Sequence, residues 1–220
     1  MSVQDMEKSV LVFSPHNDDE TLGAGGTILK LAKSGYNVVV CEVTSGKSFS
    51  IIQPEAINAH RILGVSKTIF LELPTCQLEG LPKIQLNEEF YKVVSAYQPE
   101  IVFIPHYGDM HLDHRWVAEG AMVAVRPLVA PYIKKVLSYE TLSETEWNTP
   151  SVNNAFIPNV WVDISEELDG KISAMECYQS QLRAFPHPRS LDAIRALARY
   201  RGSTVGVQAA EAFMLVRGIG

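Results

Sequence analysis

The sequence is short of most features that would take it outside ordinary globular chemistry. It has only three cysteines, Cys41, Cys76 and Cys177, far apart and with no C-x-x-C spacing. That set offers neither a disulfide framework nor a cysteine-based zinc site, and it suits core positions in a reducing compartment. No apolar run approaches the roughly 18 residues of a membrane span. The opening MSVQDMEKS has neither the basic nor the apolar stretch of a secretory leader, so a cytoplasmic location is expected. Basic charge is scarce too: 19 Lys and Arg stand against 25 Asp and Glu, a net charge of -6. A general nucleic-acid binder needs the opposite balance. Repeats, low-complexity tracts and linkers are also missing. The remainder, 46% hydrophobic and 20% charged, is enough for a sizeable core. We expect a single domain over residues 1–220, with no nucleic-acid or membrane partner.

Apolar, β-branched runs alternate with helical periods. Strands are expected at residues 9–13, 37–43, 67–71 and 101–104, with helices at 19–33, 54–63, 86–97 and 113–125. Near-continuous apolar strands separated by such helices imply a parallel sheet covered on both faces, joined by right-handed crossovers. The fold class is therefore α/β, Rossmann-like, with a mostly parallel sheet. The last third is less regular. Strands are expected at 135–139, 159–164 and 211–217, and a helix at 190–200. Another helix is expected from an N-cap at Ser165 to about Leu182, where Phe185-Pro186-His187-Pro188 must break it.

The first strand runs into SPHNDDETLGAGG, Ser14 to Gly26, which crowds a histidine and three acids into a strand-to-helix turn. Dinucleotide binding is a poor explanation. The G-x-G-x-x-G pattern would need a glycine where Ile28 stands, and the acids would repel a pyrophosphate. Complementing the helix dipole accounts for one acid or two, each contributing roughly 0.3–1 kcal/mol, but not for the histidine. A metal site accounts for both residue types. His16 and Asp19 are three apart across the strand end, and imidazole with carboxylate suits zinc or another first-row divalent ion such as Fe2+. The fourth strand is followed by a second such loop, PHYGDMHLDHRW, Pro105 to Trp116. Four of the six histidines (His16, His106, His111, His114) lie in these two loops at the same edge of the sheet.

The pair PHNDDE and HLDH resembles the PIG-L/LmbE family of zinc-dependent N-acetylglucosaminyl deacetylases, whose patterns read roughly AHPDDE and HPDH. VTSG (43–46), EAINAHRILGV (55–65), VDIS (162–165), K…A…YQSQ (171–181) and EAF (211–213) are supporting likenesses through most of the chain. The resemblance implies an LmbE-like fold and removal of an N-acetyl group from an acetamido sugar or its conjugate. Zn2+ would be held by His16, Asp19 and His114, with Asp18 as general base. Asp113 would orient a histidine, and a protonated His111 would stabilise the oxyanion. It also implies a small-molecule partner and a homo-oligomer. The wider family implies a second reading, a metal-dependent hydratase or lyase acting on a small carboxylate. Two departures stand out. Asn17 replaces the usual proline, and the family's substrate-binding arginine is missing around Ile51-Ile52-Gln53.

Other residues carry two readings each. Thr44 and Gly46, at the end of the second strand, are candidates for substrate contact. His106 is a substrate contact or a structural residue, and Asp109 faces the cavity or makes a turn. His187 belongs to a lid or to a plain surface turn. The arginines 183, 189, 195, 199 and 201 form a local basic cluster, read as a solvated face or subunit contact with an anionic substrate group as the alternative.

Overall fold

Strand β1 (Ser9–Ser14) is buried at every position, as a strand with helices on both faces must be. The computed structural model describes residues 8–46 and 48–220. From β1 the chain runs through α1 (Asp19–Lys33), β2 (Asn37–Ser45), α2 (Phe49–Leu63), β3 (Lys67–Pro74), α3 (Lys83–Tyr97), β4 (Ile101–Pro105) and α4 (Leu112–Ala124). It continues with β5 (Lys135–Tyr139), β6 (Val160–Asp163), α5 (Leu168–Glu176), α6 (Leu191–Ser203) and β7 (Ala210–Gly218). The strands form one sheet of order β3-β2-β1-β4-β5-β7-β6. The first five pair in parallel, and β7 runs antiparallel to both β5 and β6. The class is α/β, as the alternation of runs predicts. No described helix is long and apolar enough to cross a membrane.

Side chains alternate between two cores. Val10, Val12, Val38 and Val40 face one layer of helices, while Leu11, Phe13, Val39 and Cys41 face the other. Helix α1 lies very close to the sheet. A Cβ on Gly23 would collide with the Tyr139 ring, and one on Gly26 would lie 2.8 Å from Ile164. Lys171, Glu211 and α1 form a buried polar tie behind the sheet. Lys171 Nζ is 2.6 Å from Glu211 Oε1 and 2.7 Å from the Leu22 carbonyl, and Glu211 accepts the Gly26 and Thr27 amides.

Two elements differ from expectation. The helix expected from Ser165 to Leu182 is only α5, entered at Glu167. Ser165 instead turns back on Asp163 Oδ1 and accepts the Ala209 amide, so its hydroxyl is not available as a cap. Helix α2 starts at Phe49, before Pro54, because a proline this near the start costs one amide bond and α2 still packs Ala56, Ala59 and Leu63 into the core.

The strand order reverses between β1 and β4, which both point their C-terminal ends at the same crevice. Open α/β sheets bind ligands at such switch points. The SPHNDDE loop follows one of these strands and the HLDH loop follows the other.

Candidate metal centre and its cavity

Three donor atoms meet in the crevice. Asp19 Oδ2 is 3.1 Å from His16 Nδ1 and 3.1 Å from His114 Nε2, and the two ring nitrogens are 3.3 Å apart. Ligand bonds of about 2.0–2.1 Å in a tetrahedral array put donor atoms about 3.3 Å apart, so the triangle fits a zinc-sized ion. The other oxygen of Asp19, Oδ1, is buried without a hydrogen-bond partner. The second nitrogen of each ring is backed by a carboxylate. His16 Nε2 is 3.2 Å from Asp113 Oδ2, and His114 Nδ1 is 2.8 Å from Asp109 Oδ2. This is the support that metal-bound histidines receive, fixing tautomer and ring orientation. Asp109 is itself held by the Thr145 hydroxyl at 2.6 Å, and Asp113 by the Cys76 amide at 2.7 Å. Thus Asp113 contacts His16, the more distant histidine in sequence. Asp109 does not border the cavity: it is fully buried, its carboxylate backs His114, and its amide closes the turn on the His106 carbonyl at 3.1 Å.

Charge is concentrated here. Burial disfavours a charged His16, but its bonds to Asp113 and Asp19 outweigh that and raise it to about 9. Burial likewise opposes charge on His114, yet Asp19 and Asp109 raise it well above the usual range. Burial also works against ionised Asp19, but the two imidazoles hold it well below an ordinary carboxylate. Such a site favours positive charge, whether as protons or as a cation.

Asp18 lies beside the triangle and outside it. Burial pushes it up to about 7, Arg189 pulls it down, and the neighbouring Asp19 and Glu20 push it up again. His111 caps α4, its Nδ1 accepting the Asp113 amide at 3.1 Å. Burial, then the charge on His16, lowers it to about 4. That shift favours the neutral ring, whereas the resemblance implies a protonated one. With Nδ1 occupied as an acceptor, the proton sits on Nε2.

His16, Asp18 and His111 border a cavity of about 260 Å³, and so do Thr44 and Gly46. The Thr44 hydroxyl donates to the Pro15 carbonyl and accepts from Thr75, which ties β2 and β3 to the β1 loop. Phe49 and Ile52 of α2 form an apolar wall; Glu144, Gln181 and Arg189 form a polar one. His106 is not on this cavity. Its Nε2 lies 3.0 Å from the Asn154 carbonyl, and it borders a separate, largely apolar cleft. His187 is not on the cavity either: its Nδ1 accepts the Arg189 amide and its ring meets Trp147 edge-on.

The basic cluster disperses. Arg201 pairs with Glu140, Arg195 pairs with Asp169, and Arg183 donates to nearby carbonyls. Arg189 alone reaches the site. The sequence placed Arg189 only in a cluster read as a solvated face or subunit contact, with an anionic substrate group as the alternative, and did not single out Glu144 or Gln181. The signal available was topological: Glu140 to Trp147 follows the C-terminal end of β5, where loops in this architecture carry ligand contacts.

The family profile described as "PIG-L: GlcNAc-PI de-N-acetylase" matches residues 11–125, just over half of the chain and inclusive of every residue of the donor triangle. The chain belongs to the PIG-L family. It is thus an enzyme of a family of N-deacetylases. It is 28% identical over 230 residues to the diacetylchitobiose deacetylase of Thermococcus kodakarensis, covering 96% of this chain and 84% of that one. The N,N'-diacetylchitobiose deacetylase of Pyrococcus horikoshii, complexed with its inhibitor MPG, superposes with a TM-score of 0.75 at 25% identity, covering 99% and 88% of the two chains. A 4-carboxy-2-hydroxymuconate hydratase from Pseudomonas putida KT2440 has the same fold, with a TM-score of 0.77 at 22% identity over 97% and 98%.

Proposed function

We propose that this PIG-L protein is a metal-dependent hydrolase that removes the acetyl group from an acetamido sugar or a conjugate of one. The observation that carries the reading is the pairing of a three-donor triangle with a separate buried carboxylate, Asp18, on one cavity beside His111. The deacetylases of diacetylchitobiose that this chain resembles support the substrate class. The hydratase reading rests on a likeness of fold, and fold does not fix chemistry.

His16, Asp19 and His114 would hold the ion. A divalent first-row ion such as zinc supplies there a Lewis acid for the amide carbonyl and a water whose pKa falls from about 15.7 to about 7. Asp18 takes the proton from the attacking water. With a pKa raised towards neutrality it can retain that proton and then deliver it to the leaving amine. His111 donates from Nε2 to the carbonyl oxygen as negative charge builds there, and it does so as a neutral ring. Asp113 and Asp109 keep the two ligand imidazoles turned inward.

The test is metal content by plasma mass spectrometry together with acetate release from N-acetylated sugars. The expected result is about one zinc or iron per chain, largely lost in His114→Ala, with acetate released only by the loaded protein. A wild-type protein that takes up no metal when offered zinc, or that is loaded and releases no acetate from any N-acetyl sugar, overturns the reading.

A further inference from the structure

The reaction uses Asp18 and His111, yet the polar wall of the cavity is built around a different pair. Arg189 arrives on the segment between α5 and α6 and is fixed on several sides. Its Nε donates to Ser143 Oγ at 2.8 Å; its Nη1 donates to Gln181 Oε1 at 3.2 Å and Asp18 Oδ2 at 3.3 Å. Its Nη2 meets only Glu144 Oε1, at 3.5 Å, which leaves one Nη2 hydrogen without a partner among the described residues. Glu144 has a side chain only 9% exposed, and its Oε2 has no hydrogen-bond partner.

Resting on the deacetylase reading above, we propose that Arg189 and Glu144 form a subsite that reads a ring hydroxyl of the sugar whose acetamido group faces Asp18. An unused donor beside an unused acceptor matches a hydroxyl, which both donates and accepts. An anionic group fits less well, because Arg189 is already flanked by the Asp18 and Glu144 carboxylates. Phe49 and Ile52 border the same cavity as an apolar surface for the C–H face of the ring. Its volume of about 260 Å³ lies below the range of about 300–1,000 Å³ typical of drug-sized ligands, so it accepts one sugar ring and leaves the rest of a conjugate outside. The subsite is in register with the chemistry: the Met110 amide donates to the Glu144 carbonyl at 3.1 Å, next to His111. Arg189 borders the same cavity as Phe49 and Ile52 of α2, but it is delivered by a different part of the chain.

The competing role for Arg189 is to position Asp18 alone, and the substrate distinguishes the two. The zinc-loaded enzyme is assayed on N-acetylglucosamine and on its ring-deoxy analogues, each lacking one hydroxyl. The wild type is expected to lose about 10–100-fold in kcat/KM on one analogue, as when a buried polar site loses its partner. In Glu144→Gln and Arg189→Lys the parent sugar falls towards the level of that analogue, so the ratio collapses to within about threefold, the signature of a coupled pair. Variants that keep the wild-type ratios, or a wild type indifferent to every analogue, overturn the subsite. If no sugar yields acetate, the deacetylase reading fails. Calorimetric dissociation constants for the same sugars then decide the subsite separately, by the same ratios.

Discussion

Asp18 and Asp19 are neighbours in the chain and opposites in chemistry. Two imidazoles hold Asp19 well below an ordinary carboxylate, and burial raises Asp18 to about 7. Environments that push two carboxyls apart in this way divide their roles between ligand and base. Asp18→Asn is therefore expected to keep its zinc while kcat falls by about 10²–10⁴; metal content and turnover on one preparation check both halves. Asp109→Asn is expected to act differently. It removes the carboxylate behind His114 Nδ1, so zinc affinity drops by about 10–100-fold, as competition with a chelator would measure. An unchanged affinity would leave Asp109 as a turn residue tied to Thr145.

At the scale of elements, the position of α1 fixes the site, because Asp19 and Glu20 form its first turn. The helix is pressed onto the sheet at Gly23 and Gly26 and tied from behind by Glu211 and Lys171. Removing one partner of a buried ion pair costs about 3–5 kcal/mol, because the other is left unpaired. Lys171→Met is thus expected to lower Tm by roughly 6–20 °C for a chain of this size. A scanning melt checks this, and a change within about 2 °C would show the tie to be dispensable.

Over the whole molecule, a second buried charge cluster sits in the packed interior. His60 Nε2 lies 3.2 Å from Glu20 and 3.3 Å from Glu42, and its Nδ1 lies 2.7 Å from the Thr68 hydroxyl. Burial opposes charge on His60, but its bonds to Glu20 and Glu42 raise it to about 9. Burial and the nearby Glu20 push Glu42 itself well above an ordinary carboxylate, so Glu20 is the ionised partner. A raised histidine contributes stability that is complete below its unfolded pKa of about 6.5 and is lost as pH climbs through about 9. The Tm gap between wild type and His60→Gln should therefore be wide at about pH 6 and shrink by about pH 9. A gap constant with pH would mean that His60 is neutral in the fold.

The α/β class, the parallel strands and the two His/Asp loops were legible in the sequence, because hydrophobic period and metal-ligand spacing are local patterns. His16 and Asp19 share one turn, and His114 follows a strand of the same kind. What the local pattern could not supply is pairing across the sheet. Asp113 is next to His114 in sequence but bonds His16, because β1 and β4 lie side by side. The resemblance implies a protonated His111, but burial and the neighbouring His16 favour its neutral form. His187 and Arg189 are two residues apart, and only Arg189 borders the cavity. The sequence by itself determined which residue types could hold a cation and abstract a proton. Only the tertiary structure decided which nitrogen meets which carboxylate and which arginine reaches the cavity. Those choices depend on distances of about 3 Å between segments far apart in the chain, which no spacing along it encodes.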